Sequence, residues 1–201
     1  IKAWIEQGAR GVENEQPEAD PLTKRLKALT KLLEIDPLTP QNLLVPAWGH
    51  LVQGRFSLAV NECRRWHDRD PESPLAALFL GDALARDDRV DDACTTFERL
   101  AARFPQTMLG QIGLFLGHAL RGNKAQALEA VSSTSAEAAR WDLQYSWEMA
   151  TGYALIGERD QAIDWLTNAT RRGLINYPFL SQHDPLLKGL RQEKRFTDLM
   201  E

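Results

Sequence analysis

Four histidines, two cysteines and a handful of clustered carboxylates are the residues of this 201-residue chain whose types could carry chemistry. Ser181, His183 and Asp184 supply a nucleophile, a base and an orienting acid, but such triads are assembled from distant segments rather than from neighbouring positions. No catalytic role is read there. Asp87, Asp88, Asp91 and Asp92 could face a hard cation, yet Arg86 and Arg89 interrupt them and the spacing is not that of a calcium loop. They read as a solvated turn. Cys63 and Cys94 are too few for a disulfide framework and fit no C-x-x-C spacing, so both are expected as reduced thiols. His50 and His118 have no Cys or carboxylate at ligand spacing and are read as packing residues. His67, within Arg64-Arg65-Trp66-His67-Asp68-Arg69-Asp70, reads as a solvated helix end. A phosphate loop, a dinucleotide fingerprint, H-E-x-x-H and G-x-S-x-G are all missing. The expectation is no enzyme, no cofactor and no metal.

Composition narrows the remaining classes. A hydrophobic share of 43% and a charged share of 26% are those of a folded globular protein. A net charge of −4, with Lys and Arg scattered among Asp and Glu, makes no field to gather phosphates, so nucleic acid is not an expected partner. No apolar run approaches the ~20 residues of a membrane helix, which argues against membrane insertion. A first residue other than Met suggests a piece of a longer polypeptide. The free thiols agree with a cytoplasmic address; the periplasmic part of a membrane-anchored parent is the alternative.

The elements that would position any site follow from a repeat. Asp36-Pro37 recurs as Asp70-Pro71 and then as Phe104-Pro105, each proline 34 positions after the last. Ala59, Ala93 and Ala127 keep the same step, as do Gly54, Asp88 and Gly122, and a fourth copy follows one residue late at Gly157 and Ala162. Inside each unit apolar residues recur at spacings of three and four, which predicts two antiparallel helices rather than strands. In 74–107, Ala77, Leu80, Gly81 and Leu84 form one stripe; Ala93, Phe97 and Leu100 answer it, with Phe97 filling the space that Gly81 and Ala93 leave.

The period and these residues resemble the tetratricopeptide repeat, a 34-residue helix-turn-helix unit. Leu80-Gly81, Leu84, Ala93, Phe97 and Pro105 stand at that family's pattern positions. The resemblance implies an all-α fold: an α-α superhelix, a right-handed solenoid of antiparallel helix pairs. One solenoid over 1–201 is expected, with a degenerate first pair in 1–39, repeats at 40–73, 74–107, 108–142 and 143–176, and a short C-terminal helical cap at 177–201. Within 1–39, Leu22 to Ile35 reads as an amphipathic helix, joined by a loop at Gly11–Pro21 to a helix beginning at Ile1. Pro46-Ala47 in the first unit, where Leu-Gly is usual, predicts a kink. The string Glu34 to Pro40, the turn Gly54-Arg55-Phe56 and the ending Gly173 to Phe179 through Asp184-Pro185 and Arg195-Phe196 more narrowly resemble the C-terminal repeat regions of bacterial multidomain signalling proteins. In those proteins such repeats follow a serine/threonine kinase, a nucleotide cyclase or a winged-helix regulator.

In this family the fifth, ninth and thirteenth positions of the first helices line the concave groove. Here they imply a protein-binding groove of Leu44, Trp48, Leu78, Asp82, Arg86, Ile112, Leu116, Trp147 and Thr151, extended by Val52, Leu120 and Leu155. The groove is mostly apolar and lacks the Lys and Asn of members that clamp acidic chaperone tails. Trp48 and Trp147, at its two ends, would anchor a peptide or an amphipathic helix. Trp66 and Trp165 read as inter-repeat core. The groove has two candidate occupants: a separate protein or peptide, and the chain itself through the Ile1 helix or a cap closed over Trp147. The expected function is a non-catalytic protein-interaction module of a larger signalling protein. The alternative is a structural spacer or self-association element, a weak homo-oligomer included, that sets the geometry of an attached domain.

Overall fold

Residues 36, 39 and 40–201 are described by the computed structural model. The helices there are α1 (Leu44–Val52), α2 (Phe56–Arg69), α3 (Pro74–Arg86), α4 (Val90–Arg103), α5 (Met108–Leu120), α6 (Lys124–Glu129), α7 (Ser133–Ala139), α8 (Leu143–Leu155), α9 (Arg159–Arg171) and α10 (Lys194–Met200). A 3-10 turn, Pro40–Leu43, leads into α1, and a π-turn, Phe179–His183, followed by a 3-10 turn, Pro185–Leu190, leads into α10. The described residues contain no strand. The expected Ile1 helix, the Gly11–Pro21 loop and the Leu22–Ile35 helix lie outside the described residues.

Helices α1/α2, α3/α4, α5/α6 and α8/α9 form consecutive pairs, stacked as a tetratricopeptide-like α-α superhelix. The first helices of three pairs start on side-chain caps at repeat-related positions. Ser73 accepts from the Ala76 N–H at 3.2 Å, Thr107 from Gly110 at 3.1 Å, and Asp142 from Gln144 at 2.7 Å and Tyr145 at 3.1 Å. The second helices need no such cap, because a tight left-handed turn delivers the chain to them. Gly54, Asp88, Gly122 and Gly157 all take φ between +61° and +79°. After each, an N–H reaches back to the preceding helix: Arg55 to the His50 carbonyl, Arg89 to Leu84, Asn123 to His118 and Glu158 to Tyr153, all at 2.9–3.0 Å.

Packing within the pairs uses the small residues of the repeat. A methyl group placed on Gly81 would stand 2.5 Å from the Phe97 ring, so the bare glycine is what lets α3 and α4 close. In the third unit Phe115 takes the place of the small residue, and its ring lies instead against Gly152 of α8. The second helix of that unit is broken. The run Val131-Ser132-Ser133-Thr134-Ser135 is poor in helix formers, and Ser132 caps a new helix by accepting from Ser135 at 3.2 Å. The kink expected at Pro46 is not found. Pro46 falls in the first turn of α1, where its missing N–H would have no intrahelical partner.

The core is one continuous cluster running from Leu43 to Phe196, with Trp66, Trp147, Phe97, Phe115 and Phe179 fully enclosed. Trp66 and Trp165 are both buried on second helices. The C-terminal segment packs α10 on α9, tied by Arg195 to Asp160 at 2.8 Å and to Asp164 at 2.6 Å. It then does something a terminal cap need not do. Residues 179–190 enter the concave face, touching α8 and α3, and His183 reaches the Gly54 turn of the first unit.

Candidate functional site: the concave face and its resident segment

Helix α3, Pro-Leu-Ala-Ala-Leu-Phe-Leu-Gly-Asp-Ala-Leu-Ala-Arg, is apolar except for two charges four residues apart, Asp82 and Arg86. That spacing puts both on one helix face as an ion pair, and the face is buried: the Arg86 side chain is 0% exposed and that of Asp82 is 2% exposed. Arg86 extends toward α8, where its Nη2 donates to Thr151 Oγ1 at 3.3 Å. The same Nη2 donates to Asp184 Oδ2 at 3.2 Å, and the guanidinium lies over the Trp147 ring, 4.1 Å from its centre. Trp147 Nε1 donates to that same Asp184 oxygen at 3.2 Å. The other oxygen, Oδ1, accepts from the Leu186 N–H at 3.0 Å and so starts the 3-10 turn Pro185–Leu190. One carboxylate thus shapes its own segment and fastens it to two helices.

A further carboxyl closes the cluster. Glu148, the single charge in α8, is 1% exposed. Gln144 Nε2 donates to its Oε1 at 2.6 Å, while Glu148 Oε2 and Asp82 Oδ2 have no other partner. Burial, and then the neighbouring Asp82, hold the Glu148 carboxyl well above the usual carboxylate range. Burial also raises Asp82, against the pull of Arg86. A protonated Glu148 donating to Asp82 satisfies both unpartnered oxygens, because two bare carboxylates could not share that space. Burial works against the charge of Arg86, but Asp184 and then Asp82 overcome it and the guanidinium stays ionised. Burial pushes the Cys63 thiol up, and Cys94 shifts the same way for the same reason, so neither is an activated nucleophile.

Aromatic rings line the rest of the face. Trp48 meets Phe79 at 6.5 Å and Trp147 at 5.5 Å, both edge to face, and Trp147 meets Phe179 of the C-terminal segment at 5.7 Å. The two tryptophans expected at opposite ends of a groove therefore touch each other. The first and fourth units thus meet across the concave face, and the bare Gly152 of α8 lets the Phe115 ring of α5 lie close against it.

Asp82, Arg86, Trp147 and Thr151 converge on one point. Leu78, Ile112 and Leu116 lie beside them in the core, at most 2% exposed. Leu44 and Trp48 are half-buried at the rim. The centre of the expected groove is thus covered by the chain itself, through the cap and over Trp147. Three residues of the cluster were not among the expected groove positions: Glu148, Phe179 and Asp184. A lone charge inside an otherwise uncharged helix was the available sign of Glu148.

His50 and His118 are half-buried, each with Nδ1 shut off from solvent, and Ser181 donates to the Tyr177 carbonyl at 2.8 Å rather than to His183. Among the described residues no group of His, Cys, Asp and Glu side chains could hold a metal ion, and no helix is long and apolar enough to cross a membrane.

Comparison with known proteins adds little. No family model matches the sequence, and neither does any curated protein. Two crystal structures of MamA are similar to it, each 21% identical over 75% of this chain, covering 88% and 82% of their own chains, with a TM-score of 0.46 in both cases.

Proposed function

We propose that this chain is a non-catalytic protein-interaction module whose concave face recognises a peptide segment by one carboxylate set among apolar side chains. Residues 179–190 are the resident of that face, and a partner of the same chemistry engages it by displacing them. The observation that carries the reading is the reception of Asp184. Its carboxylate meets a buried Arg86 and the Trp147 N–H at the positions where this kind of repeat holds ligands, with Phe179 and Leu187 enclosed on either side. The resemblance to the repeat regions of bacterial signalling proteins supports a cytoplasmic docking role beside a kinase, cyclase or winged-helix domain.

The test uses a fluorescein-labelled peptide with the sequence of residues 177–191, titrated into the full chain by fluorescence anisotropy. The wild type should bind it weakly, and Asp184→Ala or the milder Asp184→Asn, which loosen the resident segment, should bind it roughly tenfold or more tightly. A peptide with Ala in place of the aspartate should lose that gain. If no variant captures the peptide while all remain folded, the concave face is closed core. The second reading, a spacer or self-association element, then stands; the near-complete burial of Leu78, Ile112 and Trp147 favours it.

A further inference from the structure

On the opposite face, α2 and α4 stand apart and leave a cleft of about 600 Å³ over α3. Ala77, Leu80 and Leu84 of α3, with Leu100 of α4, form its floor; Ala77 and Leu80 each keep 8% exposure. The walls are basic: Arg64 and His67 come from α2, and Arg89, Arg99 and Arg103 from the α4 side, against Asp68 and Asp92. Four arginines against Asp68, Asp92 and the Glu72 that pairs with Arg103 leave a small positive excess on a chain whose net charge is −4.

The arginines divide into two kinds. Arg89 donates through Nε and Nη2 to a single Asp92 oxygen, Oδ2, and Arg103 is tied to Glu72 and, at 3.4 Å, to the Pro71 carbonyl. Arg64 and Arg99, exposed on facing helices, make no hydrogen bond or ion pair within the described residues. Two free guanidiniums above an apolar strip fit a ligand that offers carboxylates and aliphatic side chains together. From Arg89 to Arg103 the wall is 14 residues of helix, about 21 Å at ~1.5 Å per residue. That length exceeds any single small anion and equals about six residues of extended peptide at ~3.3 Å each.

We propose that this cleft is a second binding surface, taking a short extended peptide of a partner protein in which acidic residues alternate with aliphatic ones. Alternation is the natural match, because an extended chain turns successive side chains to opposite sides. Its aliphatic side chains meet Ala77 and Leu80, and its carboxylates meet Arg64 and Arg99. The apolar floor, which a sugar-phosphate backbone would leave uncovered, favours this ligand over nucleic acid. The surface goes beyond the concave reading and shares no residue with it.

The probe is a fluorescein-labelled hexapeptide alternating glutamate and leucine, followed by anisotropy on the full chain, with two comparators: the same peptide carrying lysine for glutamate, and single-stranded oligothymidine. The acidic peptide should bind saturably, while both comparators should not. Arg64→Glu with Arg99→Glu should weaken binding roughly tenfold or more, with the helical circular dichroism and unfolding midpoint of the wild type retained. Raising ionic strength from about 0.1 M to about 1 M, which shortens the screening length from about 10 Å to about 3 Å, should weaken it as well. Absent binding, binding unchanged by the double reversal, or a preference for oligothymidine each overturns the assignment. Because Asp184→Asn leaves this cleft intact, acidic-peptide binding should persist in that variant whatever becomes of the concave face.

Discussion

Arg86 and Asp184, 98 residues apart in the chain, meet at 3.2 Å inside the concave face, and the Trp147 indole touches both. Neither charged side chain has any exposure to water. A buried pair of this kind contributes modest net stability, because desolvation offsets much of the attraction, but removing one partner strands the other. Asp184→Ala leaves Arg86 with Asp82 as its one remaining ion-pair partner among the described residues and Trp147 Nε1 with no acceptor. The expected loss is about 3–5 kcal/mol, read from urea denaturation midpoints at unchanged slope. Asp184→Asn, which keeps an acceptor for Trp147, should lose less, and equal losses would show that the retained acceptor contributes nothing and that the charge alone holds the segment.

Acid should steady the same cluster rather than disrupt it. A carboxyl raised by folding carries stability that is complete below its unfolded value, which for Glu148 is about 4.5, and that drains away as pH climbs toward its folded value. Asp82 shifts in the same direction. Glu148 should therefore contribute a fall in stability as pH rises above about 4.5. Glu148→Gln can still accept from Gln144 and donate to Asp82 with no proton to lose. Thermal unfolding of the two proteins across this range should show a flatter profile for the glutamine variant and a higher midpoint near neutrality. Parallel profiles would mean that Glu148 ionises freely in the fold.

Much of the architecture was legible because a repeat prints the same physics several times. The left-handed turns fall on the positions that recur at Gly54, Asp88, Gly122 and Gly157, and the pairing of Gly81 with Phe97 could be read from one unit. Asp82, Arg86, Trp147 and Thr151, placed on first helices by their register, converge on one point. A cap closed over Trp147 could be named as one of two candidate occupants, but the sequence did not choose between them. Whether a C-terminal segment stacks on the last helix or folds back across the first unit depends on contacts between residues far apart in the chain, such as His183 with the Gly54 turn, which no periodicity records. For the same reason Trp48 and Trp147, 99 positions apart in the sequence, could be placed on first helices but not in contact at 5.5 Å.

The turn positions give a direct test of the repeat. Asp88 adopts φ +61° where the other three copies have glycine, and a left-handed residue with a Cβ costs roughly 1–2 kcal/mol. Part of that is recovered because glycine is freer in the unfolded chain. Asp88→Gly should therefore stabilise the protein by about 0.5–1 kcal/mol, with no change in helicity. The reciprocal change, Gly122→Ala, meets no atom within 4 Å and isolates the backbone effect, so it should cost about 1 kcal/mol. An Asp88→Gly protein less stable than the wild type would show that the side chain outweighs the dihedral. Its contacts do not suggest so, since Asp88 is exposed.

Gly81 tests close packing instead. A Cβ at this position would lie 2.5 Å from the Phe97 ring, and the ring is itself 1% exposed, so it has no free space to retreat into. Overpacking of this kind costs roughly 1–3 kcal/mol, and Gly81→Ala should fall in that range even though alanine is the better helix former by about 1 kcal/mol. The two effects oppose each other, and the sign of the result decides which dominates. Phe97→Leu alone should also destabilise, through the cavity it leaves. Combined with Gly81→Ala it should cost less than the sum of the single losses, because the smaller side chain gives the new methyl room. A double-mutant cycle by chemical denaturation should return a favourable coupling of at least about 0.5 kcal/mol. Additive losses would mean that α3 and α4 relieve the clash by moving apart rather than by yielding at Phe97.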